Sequence, residues 1–472
     1  MRPTLPPPGP VLPVTTAILA ALLGCRSMSK SPTSPFPRPA IPSTTGLLPV
    51  GTPEWTPLQV DPAADGITST STLPDLIDRL LRANPQLEAQ RQRVFAEDER
   101  APQEKSFADP ILSVRWFFEE IQTRTGPQEW ALGIHQQLPG FGKRHFRERA
   151  ALAHADTQGA YQTHLRSKLI LEVRRAWCEL FYLERARAIL QKNLGLIERL
   201  GEVVRTRYAV GEADFADLTR TQIEKAQVES RLVGLVDRRR PLCARMNALL
   251  ARPSDAALPR PTTLPPGSGS LPTNAKLFEE LERTNPALVA LRLEREAAEA
   301  KSSLARIAER PDWKVGLEYI RTGDALDPLA PDAGEDPVLA SLSFNLPLRS
   351  RRYRAMERET RARLRAATAS LEAKTDALHA ALEEELYAWR EARRLVVLNQ
   401  ESLVPHANQL LEATETAYRS GSASFWELVD TERSRLEFEL KLERARTDQA
   451  LSAARLDDLL GRDASPLEGR IR

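Results

Sequence analysis

Cysteine is nearly absent: Cys25, Cys178 and Cys243 are the only three in 472 residues, too few for a disulfide framework. Methionine (four) and histidine (six) are also scarce. None of His135, His145, His154, His164, His379 and His406 follows a glutamate by three positions, as the paired helical motifs of a di-iron site require, so no metal site or cofactor is expected. An excess of one charge is missing too. The 66 basic and 64 acidic residues leave a net +2, without the basic patch interleaved with aromatics that marks a nucleic-acid partner. No run reaches the ~18–20 apolar residues of a membrane-spanning helix. No nucleophile elbow occurs. The nearest approach to a phosphate loop, Gly140-Phe141-Gly142-Lys143, has Gln137 where the first glycine belongs and Arg144 in place of Ser or Thr. Enzyme chemistry has nothing to stand on.

What is present begins with a short apolar run, Val11 to Leu23, behind Arg2 and ending in Leu22-Leu23-Gly24-Cys25. This is the pattern of a signal-peptide apolar core with a small residue before the cut. It resembles a bacterial lipobox, which would make residues 1–24 a leader and Cys25 a lipidation site. The alternative is an ordinary secretory signal with a chance cysteine. Residues 25–70 are rich in Pro, Ser and Thr and read as an extended linker.

Beyond residue 70 the chain repeats its own order. Leu80-Leu81-Arg82-Ala83-Asn84-Pro85 is echoed by Leu281-Glu282-Arg283-Thr284-Asn285-Pro286, and Tyr208-Ala209-Val210-Gly211 by Tyr418-Arg419-Ser420-Gly421. The expected halves are residues 71–252 and 273–462, joined by a Pro/Gly-rich segment at 253–272 and followed by a tail at 463–472. Each half begins with a helix of about 30 residues, near 73–107 and 275–309. Two segments alternating at period two come next. Leu112, Val114, Trp116, Leu132 and Ile134 share one face of the first pair, and Val315, Leu317, Leu342 and Phe344 one face of the second. Such segments fit strands of a membrane barrel or half-buried hairpins of a soluble domain.

A heptad-like seam then runs through Leu169, Val173, Ala176, Leu180, Leu183, Leu190 and Ile197. It predicts a helix over 141–207, ~100 Å long at 1.5 Å per residue, with a counterpart over 351–417. Each long helix breaks at a glycine, Gly211 or Gly421, and a shorter helix returns over 214–250 or 424–460. The returning and first helices laid end to end nearly match the long one, as the wall of a hollow helical cylinder would need.

This order resembles the TolC-like outer-membrane factor family over nearly all of residues 70–462. The features that carry it are the duplicated Asn-Pro, the strand pairs and the duplicated Tyr-x-x-Gly turn. The junction Gln136-Gln137-Leu138-Pro139-Gly140-Phe141-Gly142-Lys143-Arg144 is similar to that of members serving resistance-nodulation-division pumps, and its Pro-x-x-Gly-Lys form to members associated with heavy-metal efflux. The resemblance implies a mainly α protein whose four strands join those of two other copies in a 12-stranded trimeric barrel in outer-membrane lipid. Its helices would project into the periplasm and meet a periplasmic adaptor, which couples it to an inner-membrane pump. It implies a tip built from Tyr208, Gly211, Asp214, Asp217, Gly421 and Ser424, and a periplasmic gate at Glu427 and Asp430 helped by the Tyr418 hydroxyl. The first-half equivalents of the gate pair, Asp217 and Arg220, are not both acidic, and Ala423 stands where the family often has a basic residue. Glu427 has a local alternative, because Ser424-Phe425-Trp426-Glu427 is a capping box.

Physics supports the trimer independently, since four strands cannot close a barrel and open edges are not tolerated in lipid. The rival of another class is a periplasmic coiled-coil adaptor, which would carry a single hairpin flanked by Gly-rich β domains. Two smaller expectations remain. The acidic, proline-bearing segment 323–336 suits an extracellular loop. Cys178 and Cys243 stand at similar distances from Gly211 on antiparallel helices, either facing each other or packed in separate sites.

Overall fold

The computed structural model describes residues 66–68, 70–265, 272–326 and 332–463, all within one compact unit, Val60–Arg472. The expected leader, Cys25, most of the 25–70 linker, part of the acidic loop and nearly all of the tail lie outside the described residues.

Each half opens with a broken helix rather than the single one expected. In the first half α1 (Leu73–Ala83), α2 (Pro85–Asp98) and α3 (Arg100–Lys105) follow one another. Pro85 has no N–H to donate and pushes the preceding residue out of the helical region, and Asn84 is extended at φ −68°, ψ 121°. Its side-chain oxygen accepts from the amides of Gln86 (2.9 Å) and Leu87 (3.2 Å), capping α2, while its Nδ2 donates to the Leu249 carbonyl at 2.8 Å.

Strands β1 (Ile111–Thr123) and β2 (Gly126–Leu138) come next. They lead into α4 (Lys143–Ala209), a helix of 67 residues. Helix α5 (Phe215–Leu249) returns along it.

The second half runs through α6 (Asn274–Thr284), α7 (Pro286–Arg306), β3 (Trp313–Thr322) and β4 (Val338–Phe344). Asn285 repeats the strut: it accepts from Ala287 N (3.0 Å) and Leu288 N (3.2 Å) and donates to the Leu459 carbonyl (2.9 Å). The second long helix is α8 (Ser350–Leu398) continued by α9 (Val404–Arg419), with one π turn, Asn399–Leu403, between them. Pro405 explains the π turn. It cannot donate to the carbonyl four residues back and would clash with it, so the helix widens by one residue. Helix α10 (Phe425–Leu459) returns.

Two equivalent cores hold the base of the helices. Leu76, Leu80 and Leu87 pack with Val173, Trp177, Leu180, Met246 and Leu250. Leu277, Leu281 and Leu288 pack with Leu382, Leu386, Trp389, Leu456 and Leu460. Each such leucine contributes ~1.5–3 kcal/mol on burial. Nearer the tip the cores mix the halves, with Leu190, Ile197 and Val228 meeting Leu436.

Cys178 and Cys243 do not pair. Both thiols are free. Cys178 lies buried against Ala450 and Leu451 of α10, whereas Cys243 borders the first-half core.

Candidate functional site

Among the described residues four strands form one antiparallel sheet in the order β1-β2-β3-β4, with β1 and β4 as its unpaired edges. Its register aligns Leu112 with Ile134, Ile134 with Leu317, and Leu317 with Ala340. Val114 faces Leu132, and Val315 faces Leu342. Leu112, Val114, Trp116, Leu132, Ile134, Val315, Leu317, Leu342 and Phe344 are all exposed in the single chain. One face is therefore an apolar surface with none of the described residues over it. The other carries the Arg115–Glu318 ion pair and the small residues Ser113, Gly133 and Gly316. Among the described residues no helix is long and apolar enough to cross a membrane.

The sheet is fastened to the helices at one polar junction. Asp312, just before β3, accepts from the Gly140 amide (2.7 Å) and from Lys143 Nζ (2.9 Å), and its own amide donates to Asn345 Oδ1 (2.5 Å). Burial raises the Asp312 carboxyl, but the Gly140 amide and Lys143 outweigh it and hold the group below its ordinary value. A side chain at Gly140 would strike the Pro311 carbonyl at 2.6 Å, so glycine is required there. The lysine that mimicked a phosphate loop is thus a buried pin between the halves.

At the opposite end of the helices lie the two turns. Gly211 and Gly421 have φ of +81° and +78°, left-handed values that glycine adopts without strain. Their amides donate to the Tyr208 and Tyr418 carbonyls (3.1 and 3.2 Å). In both turns the tyrosine stacks on the phenylalanine seven residues on, Tyr208 on Phe215 (6.3 Å) and Tyr418 on Phe425 (5.9 Å). Their surroundings differ. Tyr418 and Phe425 are buried with Leu428 and Val429 against Val204 of α4, while Tyr208, Val210 and Phe215 are exposed. Arg207 lies over the Tyr418 ring (4.7 Å) and Arg220 over Trp426 (4.6 Å), binding the two turns side by side through cation–π contacts.

The four acids at the turns differ in occupation. Glu427 is exposed and closes its own helix: it accepts from the Ser424 amide (2.7 Å) and Ser424 Oγ (3.0 Å), while its amide donates to Ser424 Oγ (3.2 Å). The Ser424 amide lowers its carboxyl pKa. Asp430, one turn further, is exposed with no partner among the described residues. Asp214 precedes α5 without a side-chain cap, and Asp217 lies beside Arg220 at 3.9 Å. Tyr418 is held through its ring, and its hydroxyl makes no hydrogen bond among the described residues.

Between the ends, α4 and α10 meet along a polar seam that the heptad pattern does not reveal. Ser167 donates to Asp458 (2.5 Å), Arg174 pairs with Asp463 (2.8 Å), and Arg444 with Glu179 (3.1 Å). Nearest the tip, Asn193 donates to Glu432 (2.6 Å), which also receives Arg435 (2.6 Å).

With this geometry in view, the family model described as outer membrane efflux protein matches residues 277–462. The fold is shared with VceC of Vibrio cholerae, an outer membrane protein, at TM-score 0.68 and 20% identity, over 82% of this chain and 96% of that one. It is shared with CusC, whose crystal structures concern folding and transmembrane channel formation, at TM-score 0.70 and 15% identity, over 82% and 92%. The open state of the MtrE outer membrane channel of Neisseria gonorrhoeae matches at TM-score 0.66 and 19% identity, over 82% and 88%. No curated protein sequence matches.

Residues 277–462 are thus an outer membrane efflux protein domain.

In this fold the roles of two sequence motifs become concrete. The duplicated Asn-Pro is a strut from the start of one helix to the end of another. The Gly-Lys junction joins sheet to helix. The polar seam had no signal in the sequence, because its partners stand far apart along the chain.

Proposed function

We propose that this chain is one protomer of a homotrimeric, lipid-anchored outer-membrane channel, the passive export duct of a tripartite efflux system. Metal cations or small toxic compounds would be delivered to it by an inner-membrane pump through a periplasmic adaptor. The observation that carries this reading is the sheet. It has an exposed apolar face and two open edges, and open edges do not persist in hydrocarbon. Three copies supply twelve strands, a number that closes. Residues 71–252 and 273–462 are then two copies of one unit, and the helices lie in the periplasm. An adaptor with a single hairpin is not favoured, since each half here has its own strand pair and hairpin.

In this reading Cys25 is lipidated, so Cys25→Ser loses incorporation of labelled palmitate. The exposed aromatic pair Tyr208–Phe215, with Gly211, Asp214, Asp217, Gly421 and Ser424, forms the adaptor-contacting tip. Asp430, free and exposed, is the main acid of the periplasmic gate. Glu427 joins it while also capping its helix, and Tyr418 braces the turn. The heavy-metal cargo rests only on the junction motif, which has a structural use of its own.

The test is purification in detergent followed by planar-bilayer recording. A trimer with discrete conductance supports the channel, and a monomer without conductance sinks it. For the gate, the Glu427→Ala/Asp430→Ala channel must show weaker cation selectivity and weaker block by multivalent cations. If only its melting temperature drops, capping is the sole role of Glu427 and the gate assignment fails.

A further inference from the structure

The two helices that leave the strands begin against the usual rule. Acids favour the first turn of a helix, where the dipole is positive, and cations are disfavoured there. The tip helices α5 and α10 obey, with Asp217 and Glu427 in their first turns. Helices α4 and α8 have no acid in theirs. Instead α4 opens with Lys143 and Arg144, and Arg349, Arg351 and Arg352 crowd the start of α8. Those three arginines are exposed and have no carboxylate partner among the described residues.

Apolar side chains accompany them. The outward row of β4 does not stop with the strand: Leu342 and Phe344 continue at the same period of two into Leu346 and Leu348, the last 82% exposed. Phe141, 81% exposed, stands in the same layer, because Asp312 holds both Gly140 and Asn345. Exposed leucines running directly into unpaired arginines, at the edge of a lipid-facing sheet, match a membrane's boundary between acyl chains and headgroups.

We infer that this collar, centred on Arg349, Arg351 and Arg352 with Leu346, Leu348 and Phe141, binds headgroups of anionic phospholipid in the leaflet where the strands end. The negative headgroups offset the unfavourable placement of the arginines. The inference rests on the channel reading, which supplies the bilayer.

The test uses the full-length protein in mixed micelles of phosphatidylglycerol and phosphatidylcholine, with bound lipid counted by native mass spectrometry. Each near-surface arginine biases binding by about fivefold. Wild type should therefore enrich phosphatidylglycerol at least ~5-fold, and Arg349→Gln/Arg351→Gln/Arg352→Gln should bring the ratio to within about twofold of unity. Arg361→Gln/Arg363→Gln/Arg365→Gln, the same charge change ~18 Å further along α8, should keep the enrichment. Should the triple variant misfold, raised salt on wild type gives the same readout, because screening must abolish the preference. Equal retention of both lipids by wild type, or full enrichment in the triple variant, overturns the inference. So does loss of the trimer in a folded triple variant, which would place the arginines between subunits. A protein without conductance would refute the channel reading instead.

Discussion

Replacing Arg435 by methionine probes what holds the buried Glu432 carboxylate, which α10 presents to Asn193 of α4. The Arg435 and Glu432 side chains are only 5% and 4% exposed. Arg435 gives Nε to Glu432 at 2.9 Å, Nη2 to Glu432 at 2.6 Å and Nη1 to Glu439 at 2.6 Å. Methionine keeps the aliphatic stem and adapts to irregular space, so little of the effect comes from a void. What remains is the Glu432 carboxylate, buried with the Asn193 amide as its one partner at 2.6 Å. Glu439, 18% exposed, regains water and adds little. Breaking a buried pair from one side costs about 3–5 kcal/mol. Removing both charges, in Glu432→Met/Arg435→Met, leaves only the Asn193 amide without a partner, a penalty of about 1–3 kcal/mol. The double variant should therefore be more stable than the single one. Urea unfolding of the detergent-solubilised protein, followed by helical circular dichroism, measures both. A single-variant loss below ~1 kcal/mol, or a double variant as unstable as the single, would refute the claim that Arg435 offsets the buried Glu432 charge.

On the sheet, Leu132→Arg puts a cation on the apolar face and should cost roughly 2–4 kcal/mol at mid-membrane, seen as lost trimer on gels. Ser113→Arg, on the polar face opposite Gly133, should assemble; equal loss in both would reverse the assigned faces. Gly133 itself is a poor comparison, because a Cβ there would lie 2.8 Å from Ser113 Oγ. Asp312→Asn should lower stability at neutral pH. The depressed Asp312 carboxyl stabilises the fold above its unfolded value of 3.8, and that contribution fades as pH falls through the lower folded value. Acid titrations of wild type and variant should thus converge below about pH 4; curves that stay parallel would count against the pin. Burial pushes the Cys178 thiol up to about 12, so a thiol reagent at pH 8 should leave it unlabelled until the protein unfolds. Two free thiols should then titrate among Cys178 and Cys243, and rapid native labelling of Cys178 would contradict its packing.

Much of the architecture was legible because it is local. Periodicity of 3.5 to 3.6 marked the long helices, and alternation marked the strands. Gly211 and Gly421 marked turns that need left-handed backbone, and Ser424-x-x-Glu427 marked a cap that forms as its spacing dictates. The Asn-Pro pairs were visible but their consequence was misread. Proline splits the first helix of each half, and the asparagine Nδ2 reaches a carbonyl that only folding brings near, 165 residues away for Asn84. Tertiary structure alone decided that Lys143 is a buried pin, that α4 and α10 meet through ion pairs, and that one Tyr–Phe turn is buried while its twin is exposed. Backbone propensity and side-chain period act over a few residues and are written in neighbouring letters. Pairing of charges and burial of a ring depend on which distant surface arrives opposite, and no local pattern records that.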